Sequence, residues 1–444
     1  MARRTNRRKF LQESAAIGIG LWAAGGVQAK ESVSANERIR FACIGVGGKG
    51  QSDSDDAAKH GDIVAICDID DNTLENASKK KGFEQAKRFN DYRKLFDEME
   101  KSVDAVTVST PDHSHALATM LALVRGKACF TQKPLTHSVY EARLLADTAR
   151  RMKVATQMGN QGTAGDSLRK AAATVQSGVL GKIKEVHVWT NRPIWAQGGE
   201  RPEPEDEVPS NVHWDLFIGP APFRPYAPGY HPFAWRGWWD FGTGALGDMA
   251  CHTFNMPFMA LDLKNPTSIE AEHSGHNKDS YPSWSIIKFM FPATDKRPAI
   301  PVTWYDKVKK PPKEVFGGKD LPESGALIVG EKDTLHGQGD YCGGYELLSG
   351  AKLPDVTFDK SPGHFEEFAQ AVRGGKPARS NFPDYAGPLT ETILLGNLAV
   401  WCGKGPGSEG KKVEWDSTKL KATNAPELDV VINPPYREGW SLPV

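Results

Sequence analysis

The chain has 444 residues, 39% hydrophobic and 25% charged, which is long enough for two domains of ordinary size and excludes a disordered or fibrous composition. Its 55 basic residues balance 55 acidic ones, so no net field recommends nucleic acid or an anionic membrane as partner, while a small neutral substrate is compatible. Six cysteines, Cys43, Cys67, Cys129, Cys251, Cys342 and Cys402, show neither CxxC nor metal-finger spacing and read as buried thiols rather than a disulfide framework.

Residues 6–29 read NRRKFLQESAAIGIGLWAAGGVQA. A basic start, a short Gly/Ala-rich apolar core and Val27-Gln28-Ala29 as a small-residue cleavage site together make an export signal over residues 1–29. Arg7-Arg8-Lys9-Phe10-Leu11-Gln12 resembles the twin-arginine pattern Ser/Thr-Arg-Arg-x-Phe-Leu-Lys, with Asn6 and Gln12 replacing its first and last members. The expectation is a periplasmic protein exported folded by the twin-arginine (Tat) machinery. The apolar stretch 15–24 is about half the ~20 residues that a bilayer-spanning helix needs, so no stable membrane anchor is expected.

RIRFACIG (38–45) is branched and apolar enough for a buried strand; GVGGKG (45–50) follows, then a polar helical stretch over 50–60. The next apolar run, 62–67, ends at Asp68, giving the order strand, glycine turn, helix, strand, acid that a dinucleotide-binding unit requires. Gly45, Gly47, Gly48 and Gly50 let the backbone approach a pyrophosphate at a helix N-terminus, and Asp68, eighteen residues past Gly50, can accept both ribose hydroxyls. A carboxylate there repels a 2′-phosphate, which favours NAD over NADP; Asp70 competes with Asp68 for the role.

VDAVTVST (103–110) and KACFTQ (127–132), each followed by a helical pattern (115–125 and 138–152), continue the alternation. The fold class is therefore α/β, with an N-terminal Rossmann domain over 36–160 built on a doubly wound parallel sheet. Ligands on such sheets sit beyond the carboxyl ends of the strands, which aims 109–115 and 131–134 at the cofactor and makes Thr110, Pro111, His115 and Lys133 candidates. His115 equally suits the opening of its helix.

From about residue 182 the pattern changes to strand-like runs at 183–190, 268–273, 284–291, 299–305 and 326–329, few of them separated by helices. This predicts a C-terminal α+β domain over 161–403 with a large, mostly antiparallel open sheet, closed by helices at 364–373 and about 388–401. Residues 404–444 form a Gly/Lys/Pro-rich extension expected to wrap the surface. Inside the second domain, 190–243 is an insertion that, with Trp189 at its edge, holds six of the twelve tryptophans. A loop-rich segment this long within a compact domain is usually functional. Trp195 and Trp238, on either side of Arg236, are candidates for stacking on the apolar faces of a sugar ring, though any one tryptophan serves equally to pin the loop.

With these residues in view the chain resembles the Gfo/Idh/MocA oxidoreductases, the family of glucose-fructose oxidoreductase and inositol dehydrogenase, over roughly 38–401. The resemblance rests on GVGGKG with CDID, on TPDHSHA (110–116), on TQKPL (131–135) and on GALGDMACH (244–252). It implies that Lys133, in the family's Glu-Lys-Pro signature, approaches the substrate hydroxyl and the nicotinamide, that Asp248 and His252 are its Asp-x-x-x-His pair, and that His115 borders the nicotinamide. Gln132 stands where the family's signature has its acid, and Asn255 where relatives often carry another. The resemblance also implies a homo-oligomer assembled through the outer face of the second sheet.

The chemistry follows from the residues as well. Oxidising a secondary alcohol requires removal of the hydroxyl proton as hydride leaves, and a histidine with a pKa near ~6.5 suits that task. Asp248 and His252 are four apart, so on a helix the carboxylate can orient or charge-stabilise the imidazole, although Asp248 also stands where a helix would begin and could cap it. Lys133 at a strand end can favour the alkoxide. No metal is expected, because DxxxH supplies two ligands with no third evident nearby. Three functions fit: a sugar or polyol oxidoreductase with tightly held NAD, a redox-neutral glycosidase or lyase acting through a transient keto-sugar, and a non-catalytic NAD- or sugar-binding protein.

Overall fold

The computed structural model describes residues 38–203 and 206–443, and the export signal expected over residues 1–29 lies outside the described residues. Six short strands, β1 (Ile39–Ile44), β2 (Gly61–Cys67), β3 (Lys87–Phe89), β4 (Ala105–Val108), β5 (Ala128–Thr131) and β6 (Thr156–Met158), pair in parallel in the order β3-β2-β1-β4-β5-β6. β4 and β5 are buried at every residue because helices cover both faces, which is why they read as unbroken apolar runs. The winding reverses between β1 and β4, so the crevice beyond their carboxyl ends is where a ligand belongs.

Two helices of this domain start on sequence-encoded caps. Asp70 opens Asp71–Ser78 by accepting from the N–H groups of Asn72 and Thr73, and Ser138 with Glu141 forms a capping box at the start of Val139–Met152. The helix following TPDHSHA spans Asp112–Val124, so it begins at Asp112 and not at His115. The glycine loop depends on bare Cα atoms: a Cβ on Gly50 would lie 2.0 Å from the Gly45 carbonyl oxygen, and one on Gly45 2.6 Å from that of Ser109.

The second sheet has nine strands: β7 (Ile183–Thr190), β8 (Ser268–His273), β9 (Ser285–Phe291), β10 (Ile300–Asp306), β11 (Gly325–Gly330), β12 (Thr334–Gln338), β13 (Gly344–Leu347), β14 (Val413–Asp416) and β15 (Lys421–Ala422). Their order is β13-β12-β11-β7-β10-β9-β8-β14-β15, antiparallel except for β10 against β7. β3, β6 and β12–β15 are two to five residues long, too short to carry a readable period. The C-terminal extension therefore does more than wrap the surface: β14 adds to the sheet edge at β8, pairing Val413 with Ile269.

The helix Gly387–Trp401 is buried on nearly every side and packs against the helices Val139–Met152 and Gly244–Thr253 and against β8 and β9. One apolar cluster therefore runs from Val106 in the first sheet to Phe289 in the second. Arg143 and Glu391 add a bidentate ion pair across this junction at 2.9 and 2.7 Å. The described residues of the insertion include a short α-helix, Trp214–Ile218, a 3-10 turn, Ala234–Gly237, and a core of their own in which Trp214, Phe217, Tyr230, Trp238 and Phe241 pack together. The six cysteines carry no disulfide, and only Cys402 is partly exposed. Among the described residues no helix is long and apolar enough to cross a membrane.

Candidate active site

A groove of about 720 Å³ crosses the carboxyl ends of the first sheet and is walled on its far side by the insertion. Its middle is the glycine loop. Gly47 approaches Thr73 so closely that a Cβ would sit 3.0 Å from the threonine methyl, and Gly48, at φ +51°, has open space above it. Asp68 lines the groove with its carboxylate fixed by the N–H groups of Val46 (2.9 Å) and Asp70 (3.1 Å). Burial raises the Asp68 pKa, and those two donors oppose the rise. Asp70 is spent on its helix cap and on the Asn211 amide at 2.8 Å, which leaves Asp68 the better placed ribose acceptor. The loop and the acid fit a dinucleotide, with backbone N–H groups and a helix N-terminus for the pyrophosphate.

At the other end stands Lys133, just past β5. Its ammonium donates to the Asp248 carboxylate at 2.6 Å and to the Asp248 carbonyl at 2.8 Å. Arg236 donates to the same carboxylate oxygen at 3.1 Å. Burial would raise the Asp248 pKa, but Lys133 and Arg236 outweigh it and hold the carboxylate down at about 2. Asp248 lies inside the helix Gly244–Thr253, whose first turn follows Thr243, so it does not cap that helix.

The Asp248 carboxylate therefore holds the lysine and not the histidine. His252 follows one turn later, buried, with Tyr341 tilted across its ring at 4.6 Å and its Nδ1 without a hydrogen-bond partner among the described residues. Burial, reinforced by the Lys133 ammonium, pushes His252 down to about 3, far from the ordinary value expected of it. Burial therefore favours the neutral imidazole, set behind the residues that line the groove. A consequence is testable: kcat/KM at saturating cofactor should stay level as pH falls from about 7 through 6.5, because the base is already deprotonated. An acid limb centred on the ordinary histidine value would exclude buried His252 as the base.

Other predicted residues take different places. Thr110 and Pro111 line the groove. His115 is buried behind it, with Nδ1 2.8 Å from the Pro134 carbonyl and Nε2 2.8 Å from that of Thr110. It ties the two cofactor-facing turns together and is not a wall for the nicotinamide. Trp238 is a correction: its ring is buried against Tyr230 and its Nε1 donates to the Gly229 carbonyl at 2.9 Å, so it pins the loop and meets no sugar. Trp195, also buried, donates to Gln197 and lies 6.0 Å from the Arg236 guanidinium. Arg236 itself lines the groove, stacked on Trp235 at 4.2 Å.

Two further groove residues were not among the expected site residues. Asp112, buried and held by the Thr243 hydroxyl at 2.6 Å, and Phe233, exposed at the rim, both line the groove. Asp112 opens its helix in TPDHSHA and was legible there as an acid in a first turn. Gln132 donates to the buried Asp53 at 2.8 Å; Asp53 also receives the Ser109 hydroxyl at 2.8 Å and Lys49 at 2.6 Å. Asn255, where relatives often carry an acid, donates to Thr163 at 2.8 Å and accepts from the Tyr385 hydroxyl, a neutral network that needs no charge. Among the described residues no group of three or more His, Cys, Asp or Glu is placed to hold a metal.

A groove with a phosphate loop at its middle and an ion-paired lysine at one end is what an NAD-dependent oxidoreductase requires. Two family profiles match the chain, described as the NAD-binding Rossmann fold of an oxidoreductase family over residues 39–160 and its C-terminal alpha/beta domain over 164–296. The chain belongs to that family, the Gfo/Idh/MocA oxidoreductases, and its cofactor is NAD. No curated protein matches it in sequence.

Solved structures share its fold. The WlbA dehydrogenase of Bordetella pertussis, in complex with NADH and UDP-GlcNAcA, is 15% identical with a TM-score of 0.58, over 86% of this chain and 99% of that one. An inositol dehydrogenase homolog of Azotobacter vinelandii, with NADH and myo-inositol, is 17% identical with a TM-score of 0.56, over 86% and 98%. The aldose-aldose oxidoreductase of Caulobacter crescentus, complexed with glycerol, is 16% identical with a TM-score of 0.55, over 85% and 100%.

Proposed function

We propose that the protein oxidises a ring hydroxyl of a sugar, polyol or glycoside and takes the hydride back within the same site without releasing its cofactor. The observation that carries this reading is the meeting of Lys133, Asp248 and Arg236 at one end of the groove whose middle is the glycine loop. Bound NAD supplies the hydride acceptor. Lys133 donates to the hydroxyl oxygen and favours the alkoxide, Asp248 aims the lysine, and neutral His252 receives the proton. Arg236 offers a fixed donor to a neighbouring hydroxyl. The sugar and polyol complexes of the similar structures support the substrate class.

The twin-arginine motif at Arg7-Arg8 supports export of the folded protein to the periplasm, with the Tat machinery as its partner. The periplasm is expected to have no NAD pool, so the nucleotide leaves with the enzyme and is regenerated in place. A second sugar can take the hydride; the aldose-aldose oxidoreductase among the similar structures supports that mode. A redox-neutral cycle that cleaves a glycoside satisfies the same constraint. The outward face of the second sheet, carrying Glu270 and Lys288, is our candidate for homo-oligomer contact.

The test is to purify the exported protein, release its nucleotide with acid and identify it and its redox state. The expected result is NAD or NADH at near one per chain, and a mass change of two hydrogens in a glycoside incubated with the sample. Protein that arrives empty would refute retention, and NAD that no sugar in a broad panel reduces would support the binding-protein reading instead.

A further inference from the structure

The groove has an end beyond Asp68 that the chemistry above does not use. In the strand order β3-β2-β1-β4-β5-β6, Lys133 lies past β5 on one side of the glycine loop, while Asp68 and Asn90–Tyr92 lie past β2 and β3 on the other. A dinucleotide with its pyrophosphate at the loop and its redox end at Lys133 therefore sends its adenine toward Asp91 and Tyr92. The wall there is completed by Trp440, from the last residues of the chain.

Trp440 is held in place by several contacts. The Arg93 guanidinium lies 4.1 Å from its ring centre and the Tyr92 ring 6.4 Å away. Its backbone N–H donates to the Arg437 carbonyl at 3.1 Å. Arg437 is in turn bound to the insertion, donating to the Asp215 carboxylate at 2.5 Å and to the Gly219 carbonyl at 3.0 Å. The Tyr436 hydroxyl donates to Glu141 at the capping box of Val139–Met152. So late a segment, fixed to both the insertion and the first domain, is built to present the indole where it stands.

We propose that Trp440 is a cofactor-contact residue, the aromatic wall on which the adenine stacks, and that residues 436–440 act as a strap retaining the nucleotide. An indole already packed on a guanidinium offers a flat, polarised, pre-ordered surface to a base. The inference rests on the reading of the groove as the NAD site, and it assigns the strap a measurable share of cofactor retention.

The test follows NADH release from the full chain by stopped-flow fluorescence with excess ADP-ribose as chase. Trp440→Ala should release NADH about tenfold faster or more, the scale of one base–aromatic stack, and Trp440→Phe should recover most of the retention. Arg437→Ala, which removes the strap's bonds to the insertion and a guanidinium 5.9 Å from the Trp440 ring, should also speed release. AMP affinity should fall in Trp440→Ala while nicotinamide mononucleotide affinity stays unchanged. Wild-type release from Trp440→Ala, or equal weakening of both mononucleotides, overturns the strap while leaving the NAD site intact. A wild-type protein that binds no NADH overturns both readings.

Discussion

Lys133→Ala is expected to lower kcat by about 10³-fold or more and to leave NAD bound. Removal of a donor aimed at a developing oxyanion typically costs 10²–10³-fold, and loss of an assisted proton transfer adds to that. The same substitution strips Asp248 of its principal partner. Both side chains are mostly buried, at 14% and 13% exposure, so an uncompensated carboxylate remains with only Arg236 to face it. A fall in Tm should accompany the loss of rate, and Lys133→Ala/Asp248→Asn should recover stability without recovering turnover. Bound nucleotide measured by mass after denaturation separates failed chemistry from failed binding. Turnover within tenfold of wild type would remove Lys133 from the reacting oxygen.

Gln132→Glu should lower the Tm by roughly 5–10 °C, and Asp53→Asn/Gln132→Glu should restore most of the loss. Asp53 is 2% exposed and takes hydrogen bonds from Lys49, Ser109 and Gln132. A glutamate at 132 has no proton to offer Asp53 unless it binds one, and two buried carboxylates at this distance cannot both ionise. The resemblance implies an acid at this position; here the position carries an amide, which donates to a buried acid, Asp53, 79 residues earlier. The packing is tight enough to make the exchange specific, since a Cβ on Gly159 would lie 2.4 Å from the Gln132 amide nitrogen. A Gln132→Glu protein as stable as wild type would show that the two side chains do not share a proton-poor pocket.

The sequence made the first sheet readable because glycine spacing, apolar runs and a terminal acid each obey a local rule. Asp68 was found that way, Lys133 and Asp248 through the signatures that carry the family resemblance, and the structure brings Lys133 and Asp248 together across the chain. What escaped was pairing that no spacing encodes. The helical interval between Asp248 and His252 suggested a partnership, but a carboxylate goes to the nearest cation, and Lys133 arrives from another domain. Asp53 was hidden in a polar helix face whose burial depends on Gln132, 79 residues away. Trp238 and Arg236 are close in sequence, yet one faces a loop core and the other the groove. Trp440 carries no signal at all, because its meaning comes only from the end of the chain folding back.

The helix Gly387–Trp401 sets how this enzyme can breathe. Its Leu389, Ile393, Leu394, Leu395, Leu398 and Val400 are buried between the two sheets. At ~1.5–3 kcal/mol for each such side chain, swinging the halves apart to bare this helix would cost on the order of 10 kcal/mol, comparable to the whole stability of a typical domain. A hinge is therefore not a thermal option. Traffic through the groove must use its mouth, where Phe233, Arg236 and Trp440 stand, so the rate at which a nucleotide enters or leaves is set by a few side chains and not by the opening of the two halves.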